Sequence, residues 1–180
     1  ERYSHDLDYS YWISRYPVTY AQFEVFIEAG GYAEASYWAE ARQQQLWVDG
    51  SFRDRRRPYA YDEPYDLPNH PGVGVSWYEA LAFTRWLAQR TGLVVRLPNE
   101  PEWEKAARGG KQVPAQMETP WALDRIRTGE TPVVQLAANP QPERAFPWGK
   151  ELNPERANYY ETKIGSTSAV GCFPGGASPY

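Results

Sequence analysis

Three helix-start signals constrain the fold of this chain more than its other features do. Thr19, Ser76 and Asn99 can each cap a helix, and each is followed three residues later by Gln or Glu, which completes a capping box. Glycines that can end such helices stand at Gly30, Gly31, Gly92, Gly109 and Gly110. The sequence therefore predicts three short helices, separated by long segments that lack a regular apolar period.

Apolar residues within these segments predict which side chains are buried. In the first helix, Phe23, Phe26 and Ile27 recur at helical spacing. The predicted inner face of the second helix comprises Trp77, Ala80, Leu81, Thr84, Leu87 and Ala88. Residues 11–18 and 93–97 are rich in aromatic, apolar or β-branched residues and are predicted to form strands. Residues 32–75 are predicted to be mostly irregular.

Composition excludes several classes of function. The 180 residues carry a formal net charge of −4, so no nucleic-acid partner is expected. The basic run at 54–57 stands among acidic residues and is interpreted as a solvated loop. No apolar stretch reaches the roughly 20 residues of a membrane span. Aromatic residues make up 16% of the chain, and they suit both loop packing and binding surfaces.

Cysteine and histidine usage limits the chemistry that is available. Cys172 is the only cysteine, which excludes an internal disulfide and a cysteine-based zinc site. A single cysteine fits a reducing compartment, so a cytoplasmic location is favoured. Its neighbours Gly171 and Phe173 lead us to interpret Cys172 as a small buried hydrophobic residue. The two histidines, His5 and His70, lack a helical metal-binding spacing.

Three ordered sequence blocks carry a family resemblance. They are residues 69–87 with Gly-Val-Ser-Trp-Tyr-Glu-Ala, residues 96–109 with Arg-Leu-Pro-Asn-Glu-Pro-Glu-Trp-Glu, and Phe-Pro-Trp-Gly at 146–149. Together they resemble the formylglycine-generating enzyme (sulfatase-modifying factor) family. The resemblance implies an α+β, C-type-lectin-like fold that is loop-rich, with few short helices around small antiparallel sheets.

The same resemblance predicts the domain organisation. One domain is expected over 1–180, with its C-terminal part after Tyr180, because the family continues past a Ser-Pro-Tyr sequence like the one at 178–180. The segment 111–145 is longer than the family usually has at this point. It is therefore interpreted as a surface insertion, with a short amphipathic segment at 121–126.

The resemblance also bears on catalysis. The family oxidises a cysteine of a substrate peptide to formylglycine with oxygen and, in aerobic members, a copper ion held by two enzyme cysteines. Thiolates suit Cu(I) because both are soft. Cys172 alone cannot form that pair, so no copper is expected and no catalytic residue is assigned. Three acidic residues of the third helix are interpreted as structural, as in the family: Glu100, Glu102 and Glu104.

A calcium site is implied by the resemblance at residues 157–174. By position, Asn158 would give its side-chain oxygen, Tyr159 and Ile164 their backbone carbonyls, and Glu161 a carboxylate. Calcium prefers such a mixture of oxygen donors. The alternative is a β-turn in which Asn158 bonds to its own backbone.

These observations favour a non-catalytic module that binds a protein or peptide ligand, and they leave an enzyme open. Trp148, Tyr159, Tyr160 and Tyr180 are the predicted ligand-binding residues. The resemblance suggests a diversity-generating retroelement variable protein or a sensor domain of a bacterial signalling protein. The alternatives are a formylglycine-generating or related iron-dependent oxidase whose catalytic segment lies beyond residue 180, and a structural accessory domain without a ligand.

Overall fold

Short helices and two small sheets make up the regular structure. The computed structural model describes residues 7–116, 123–130 and 133–180. The helices are α1 Tyr20–Glu28, α2 Ala39–Gln43, α3 Trp77–Thr91, α4 Glu100–Arg108 and α5 Leu123–Arg127, with 3₁₀ turns at Ala35–Trp38, Tyr160–Thr162 and Pro174–Gly176. The strands are β1 Trp47–Val48, β2 Ser51–Phe52, β3 Gln112–Pro114 and β4 Leu136–Ala138. β1 pairs with β2 and β3 with β4, both antiparallel, which confirms the predicted α+β class.

The described chain divides into two compact units. The first unit comprises the described residues of 1–15, 98–164 and 171–180, and the second comprises 16–97 and 165–170. Helix α5 overlaps the predicted amphipathic segment at 121–126, of which 121 and 122 lie outside the described residues. Within the described part of the chain, no helix is both long and apolar enough to cross a membrane.

The three predicted helix starts are confirmed as capping boxes. At α1, the Gln22 amide donates to Thr19 Oγ1 at 3.2 Å, and the Thr19 amide donates to the Gln22 side chain at 2.9 Å. Ser76 and Asn99 make the same reciprocal pairs at α3 and α4. Each box satisfies backbone N–H groups that the first helical turn leaves without partners. The predicted ends are confirmed too, since Gly92 lies in the left-handed region with φ 71° and Gly109 follows α4.

An aromatic core holds the second unit together. Phe26 of α1 is fully buried, and its ring lies 5.9 Å from Phe83 and 5.7 Å from Trp86 of α3. Such tilted and edge-to-face pairs add about 1 kcal/mol each to the burial of apolar area. Gly31 is required here, because a Cβ at this position would lie 2.0 Å from the Phe26 ring.

The predicted inner face of α3 is confirmed only in part, since Thr84 is buried and Leu87 packs against the core. Trp77 is 56% exposed, and Leu81 is half-buried. The buried side chains of the helix are instead Glu79, Ala82, Phe83, Thr84, Trp86 and Thr91. The two aromatic residues in this list, Phe83 and Trp86, pack against α1. The apolar area that they bury determines which face of α3 is turned toward the core.

Both predicted strands are absent. In the described part of residues 11–18 and in 93–97 the structure contains no strand, and Val94 is 96% exposed. Apolar and β-branched composition forms a strand only where a partner strand supplies the ladder. Next to the first segment, the isolated bridge between Thr19 and Pro71 is the pairing that forms.

The hairpin of β1 and β2 lies in the region that the sequence analysis expected to be mostly irregular. Its two loop residues, Asp49 with φ 47° and Gly50 with φ 80°, both lie in the left-handed region. This is the geometry of a type I′ turn, which Asp-Gly favours between two strands. The Asp-Gly pair after Trp47 and Val48 was therefore a readable hairpin signal.

A buried carboxyl group links α3 to a distant loop. Glu79 is 0% exposed, and its Oε1 accepts a hydrogen bond from the Tyr32 hydroxyl at 2.6 Å. Its Oε2 accepts from the Ser76 amide at 2.7 Å, so one side chain serves both the cap and the tertiary contact. Burial, followed by the hydrogen bond to Glu79, raises the pKa of Tyr32 far above its usual range, so this hydroxyl remains a donor.

Tyr32→Phe should destabilise the protein by about 1–3 kcal/mol, because it leaves a buried oxygen of Glu79 without its donor. Urea denaturation of the full chain measures the change. Tyr61→Phe, at a tyrosine that is 50% exposed, is the control and should stay within about 0.5 kcal/mol of wild type. Equal stability of Tyr32→Phe and wild type would contradict the role assigned to this contact.

Candidate functional site

A groove of about 660 Å³ in the first unit contains Trp148. Charged groups of both signs line it, together with polar and apolar residues; the charged ones are Glu143, Lys150, Glu151 and Arg156. An indole face beside hydrogen-bonding and charged groups is a common composition for a ligand site.

A tight turn presents Trp148 to the groove. The Phe146 amide donates to the Gly149 carbonyl at 2.9 Å, and the Gly149 amide donates back to the Phe146 carbonyl at 3.1 Å. The Trp148 ring stacks on Phe146, with centroids 5.4 Å apart and planes 10° apart. Its Nε1 donates to the Glu151 carbonyl at 2.9 Å. Both the face and the edge of the indole are therefore fixed.

Arg144 anchors this turn, although the sequence analysis did not single it out. The side chain is buried, and its three guanidinium nitrogens donate to the Gln141 carbonyl at 3.1 Å, the Pro147 carbonyl at 2.9 Å and Asn139 Oδ1 at 2.8 Å. Asn139 is itself buried and donates to the Gly110 carbonyl at 2.8 Å. No local sequence pattern marks these two residues, because their role depends on contacts between loops.

Tyr180 lies in a different part of the first unit from the groove lining. Its hydroxyl donates to the Gln112 carbonyl at 3.3 Å, and its charge state affects that of Tyr11. Tyr11 donates to the Glu102 carbonyl at 2.7 Å, and Tyr9 donates to Glu102 Oε1 at 3.0 Å. Glu102 is 1% exposed and caps α4, which agrees with the structural interpretation of this glutamate.

Tyr159 and Tyr160 lie on a 3₁₀ turn and do not line the groove. The Thr162 hydroxyl donates to the Ala157 carbonyl at 2.7 Å and accepts from the Tyr159 amide at 3.1 Å, which closes the turn. Tyr160 is 82% exposed, and the Lys163 ammonium lies 4.0 Å from its ring centroid. Of the four predicted ligand-binding residues, Trp148 alone lines the groove.

The four predicted calcium ligands share this loop. They offer donors of the right kind, namely one amide, one carboxylate and two backbone carbonyls. The Tyr159 carbonyl already accepts the Thr162 amide at 3.0 Å, and its second lone pair stays available. Glu161 is exposed and supplies one negative charge, while Lys163 adds a positive charge two residues on. These donor types are the ones that calcium prefers.

The other groups that could take part in metal or thiol chemistry are clusters of His, Asp and Glu side chains and the single cysteine, Cys172. Among them, no group of three or more His, Cys, Asp or Glu side chains is placed to hold a metal ion. Cys172 is exposed, so its interpretation as a buried hydrophobic residue is wrong. The left-handed Gly171, with φ 80°, bends the chain just before it, in a loop that lies at the surface.

The chain belongs to the sulfatase-modifying factor family. Residues 4–177 match the Sulfatase-modifying factor enzyme 1-like domain, and the short helices and small antiparallel sheets agree with the fold of that family.

Several characterised proteins are similar in sequence. The chain is 31% identical over 162 residues to a formylglycine-generating enzyme of Thermomonospora curvata, with 79% of this chain and 42% of the relative covered. It is 29% identical over 160 residues to a hercynine oxygenase of Mycobacterium tuberculosis, covering 83% and 36%. It is 28% identical over 172 residues to serine/threonine-protein kinase pkn1 of Chlamydia caviae, covering 96% and 20%. The chain thus spans less than half the length of each of these relatives.

The contacts of Tyr11 near Glu102 predict that the free energy of unfolding falls at alkaline pH. Burial, followed by Tyr180, Glu102 and Tyr9, raises the pKa of Tyr11 from 10.0 to about 12. The folded state therefore holds this proton more tightly than the unfolded chain does. The stabilisation is complete below pH 10 and is lost as the pH rises toward about 12.

Tyr11→Phe should flatten the fall in unfolding free energy across that interval, because the titrating group is gone. Urea titrations at several alkaline pH values measure the slope. A Tyr11→Phe slope identical to wild type would mean that this tyrosine does not titrate as described.

Proposed function

We propose that this chain is a non-catalytic binding module whose site is the Trp148 groove. The observation that carries the proposal is the fixed indole: its face stacks on Phe146, its Nε1 bonds to Glu151, and Arg144 holds the turn. A rigid aromatic contact loses little conformational entropy on binding. Groups of both charge signs around it suit a peptide or protein ligand.

The resemblance to oxidising enzymes supports an oxidoreductase function less well than the groove supports a binding function. The formylglycine reaction would need a cysteine pair to hold copper, and these 180 residues contain one cysteine, which is exposed. Similarity to a protein named as a kinase supports use of this domain outside the oxygenases. The alternative is an oxidoreductase whose catalytic residues belong to another part of a longer protein.

The proposal also includes the scaffold that presents the groove and the class of protein to which the module would belong. A C-type-lectin-like framework would carry the groove and the exposed Tyr160 on loops. Such a module would serve as the variable protein of a diversity-generating retroelement or as the sensor domain of a bacterial signalling protein. Tyr159, Tyr160 and Tyr180 would then extend the contact surface as secondary sites.

A phage-displayed random peptide library tests the groove. Peptides enriched on the purified chain should bind it in calorimetry, and Trp148→Ala should weaken them about tenfold or more, as expected for an aromatic hot spot. Trp103→Ala, at a tryptophan of the same unit that is 61% exposed and outside the groove, is the matched control and should bind normally. Peptides that bind Trp148→Ala as well as wild type would contradict the proposed site.

An oxidation assay separates the two functions. The chain and the full-length natural protein are each incubated with a cysteine-containing peptide, oxygen and Cu(I), and the product is analysed by mass spectrometry. We expect no aldehyde from either. Formylglycine produced by the full-length protein would favour the oxidoreductase.

We also propose that Asn158, Tyr159, Glu161 and Ile164 bind a structural calcium ion. One carboxylate beside Lys163 gives a low ligand charge, so the dissociation constant should lie at the weak end, about 10⁻³ M. Chelation should lower Tm and millimolar calcium should restore it. Asn158→Ala should abolish the response, whereas Asn153→Ala, at an asparagine outside the loop, should keep it. A Tm that ignores both chelator and calcium would exclude the site.

A further inference from the structure

A row of three tyrosines lies on the second unit, and none of the three lines the Trp148 groove. The ring centroids of Tyr59 and Tyr61 are 5.1 Å apart at an interplanar angle of 64°, and those of Tyr61 and Tyr65 are 6.0 Å apart at 56°. Tyr59 is 59% exposed and Tyr61 is 50% exposed. Contiguous exposed aromatic surface of this kind marks an interaction site more often than isolated exposed rings do. We call these three residues the tyrosine row.

Backbone contacts fix both ends of the tyrosine row. The Tyr59 amide donates to the Gly74 carbonyl at 3.2 Å, and a Cβ on Gly74 would lie 2.1 Å from the Tyr59 carbonyl oxygen. At the other end, the Tyr65 hydroxyl donates to the Gly165 carbonyl at 3.0 Å, and the Tyr65 amide donates to the Asp62 carbonyl at 3.1 Å. The Tyr59 backbone and the Tyr65 side chain are thus held in place before any partner arrives, which lowers the entropy cost of ordering this segment on binding.

The charges around the row are asymmetric. Asp62 and Glu63 lie between the second and third tyrosines and are exposed, and in the described residues neither has an ion-pair partner. Asp66 follows the row, and its Oδ1 is buried without a hydrogen-bond partner in the same described part of the chain.

Two of the preceding arginines differ in what they contact, and one of them places positive charge at the Tyr59 end of the row. Arg57 pairs with Glu24 at 3.2 Å, and the Arg55 guanidinium lies 5.9 Å from the Tyr59 centroid. The Tyr61–Tyr65 part of the row is therefore the acidic part.

We propose that the tyrosine row binds an extended segment of another protein that contains prolines and arginines. A polyproline II helix exposes its side chains and its unpaired backbone carbonyls along its whole length, so it can lie across neighbouring aromatic rings. Neighbouring aromatic rings are also the surface on which known proline-recognition domains bind their ligands. An arginine of the partner would pair with Asp62 or Glu63 and stack on Tyr61.

Fluorescence anisotropy with a labelled peptide of four Arg-Pro-Pro repeats tests this site on the full chain. We expect saturable binding that weakens as salt rises. Tyr61→Ala should weaken it about tenfold, and the double change Asp62→Asn with Glu63→Gln should weaken it severalfold and reduce the salt dependence. Trp77→Ala, at a 56% exposed tryptophan of the same unit, is the matched control and should bind like wild type.

Two further peptides identify the recognition chemistry. Four Arg-Gly-Ser repeats keep the positive charge without the polyproline helix, and four Glu-Pro-Pro repeats keep the helix with the opposite charge. Weaker binding of both supports the proposal. Equal binding of the Arg-Gly-Ser peptide, no binding of the Arg-Pro-Pro peptide by wild type, or full binding by Tyr61→Ala with unchanged Tm would each overturn it. The tyrosine row and the Trp148 groove share no residue, so Trp148→Ala should bind the Arg-Pro-Pro peptide like wild type.

Discussion

Glu79 and Glu102 each use one carboxyl oxygen to cap a helix and the other to accept a hydrogen bond from a tyrosine far along the chain. Tyr32 lies 47 positions before Glu79, and Tyr9 lies 93 positions before Glu102. Both carboxyl groups are almost entirely buried, so each depends on its donors to offset the loss of water. In a chain with two-stranded sheets and short helices, these contacts tie irregular segments to regular ones.

The same arrangement explains why so little β-structure suffices. Long loops carry backbone groups that must find partners, and here turns, caps and side chains supply them. Trp38, for example, donates its indole N–H to the Gly31 carbonyl at 2.9 Å, and Trp47 donates to the Tyr32 carbonyl at 2.8 Å. The high content of tryptophan and tyrosine thus serves loop packing as well as exposed surfaces, since each ring adds apolar area and a polar atom.

Local signals in the sequence predicted the parts of the fold that depend on neighbouring residues. The capping boxes at Thr19, Ser76 and Asn99 lie within four residues of chain and were confirmed, as was the glycine end of α3. The inner face of α3 was predicted only in part, because packing against the aromatic rings of α1 determines which of its side chains are buried. The strands at 11–18 and 93–97 were wrong because strand formation depends on partners elsewhere in the chain. Within the site, Trp148 was predicted from its motif, whereas Arg144 and Asn139 act between loops and left no local signal.

The contacts of Arg144 determine which residues of the groove can be substituted without moving the turn that carries Trp148. Two of its three acceptors are main-chain carbonyls, at Gln141 and Pro147, which any amino acid at those positions would also present. The frame of the turn is therefore largely independent of the side chains displayed around it. Substitutions at exposed lining positions such as Glu143 or Lys150 can alter the chemistry of the groove while the indole stays in place. The residues that hold the shape of this surface are thus different from the exposed residues around it, and exchanges among the latter should cost little stability.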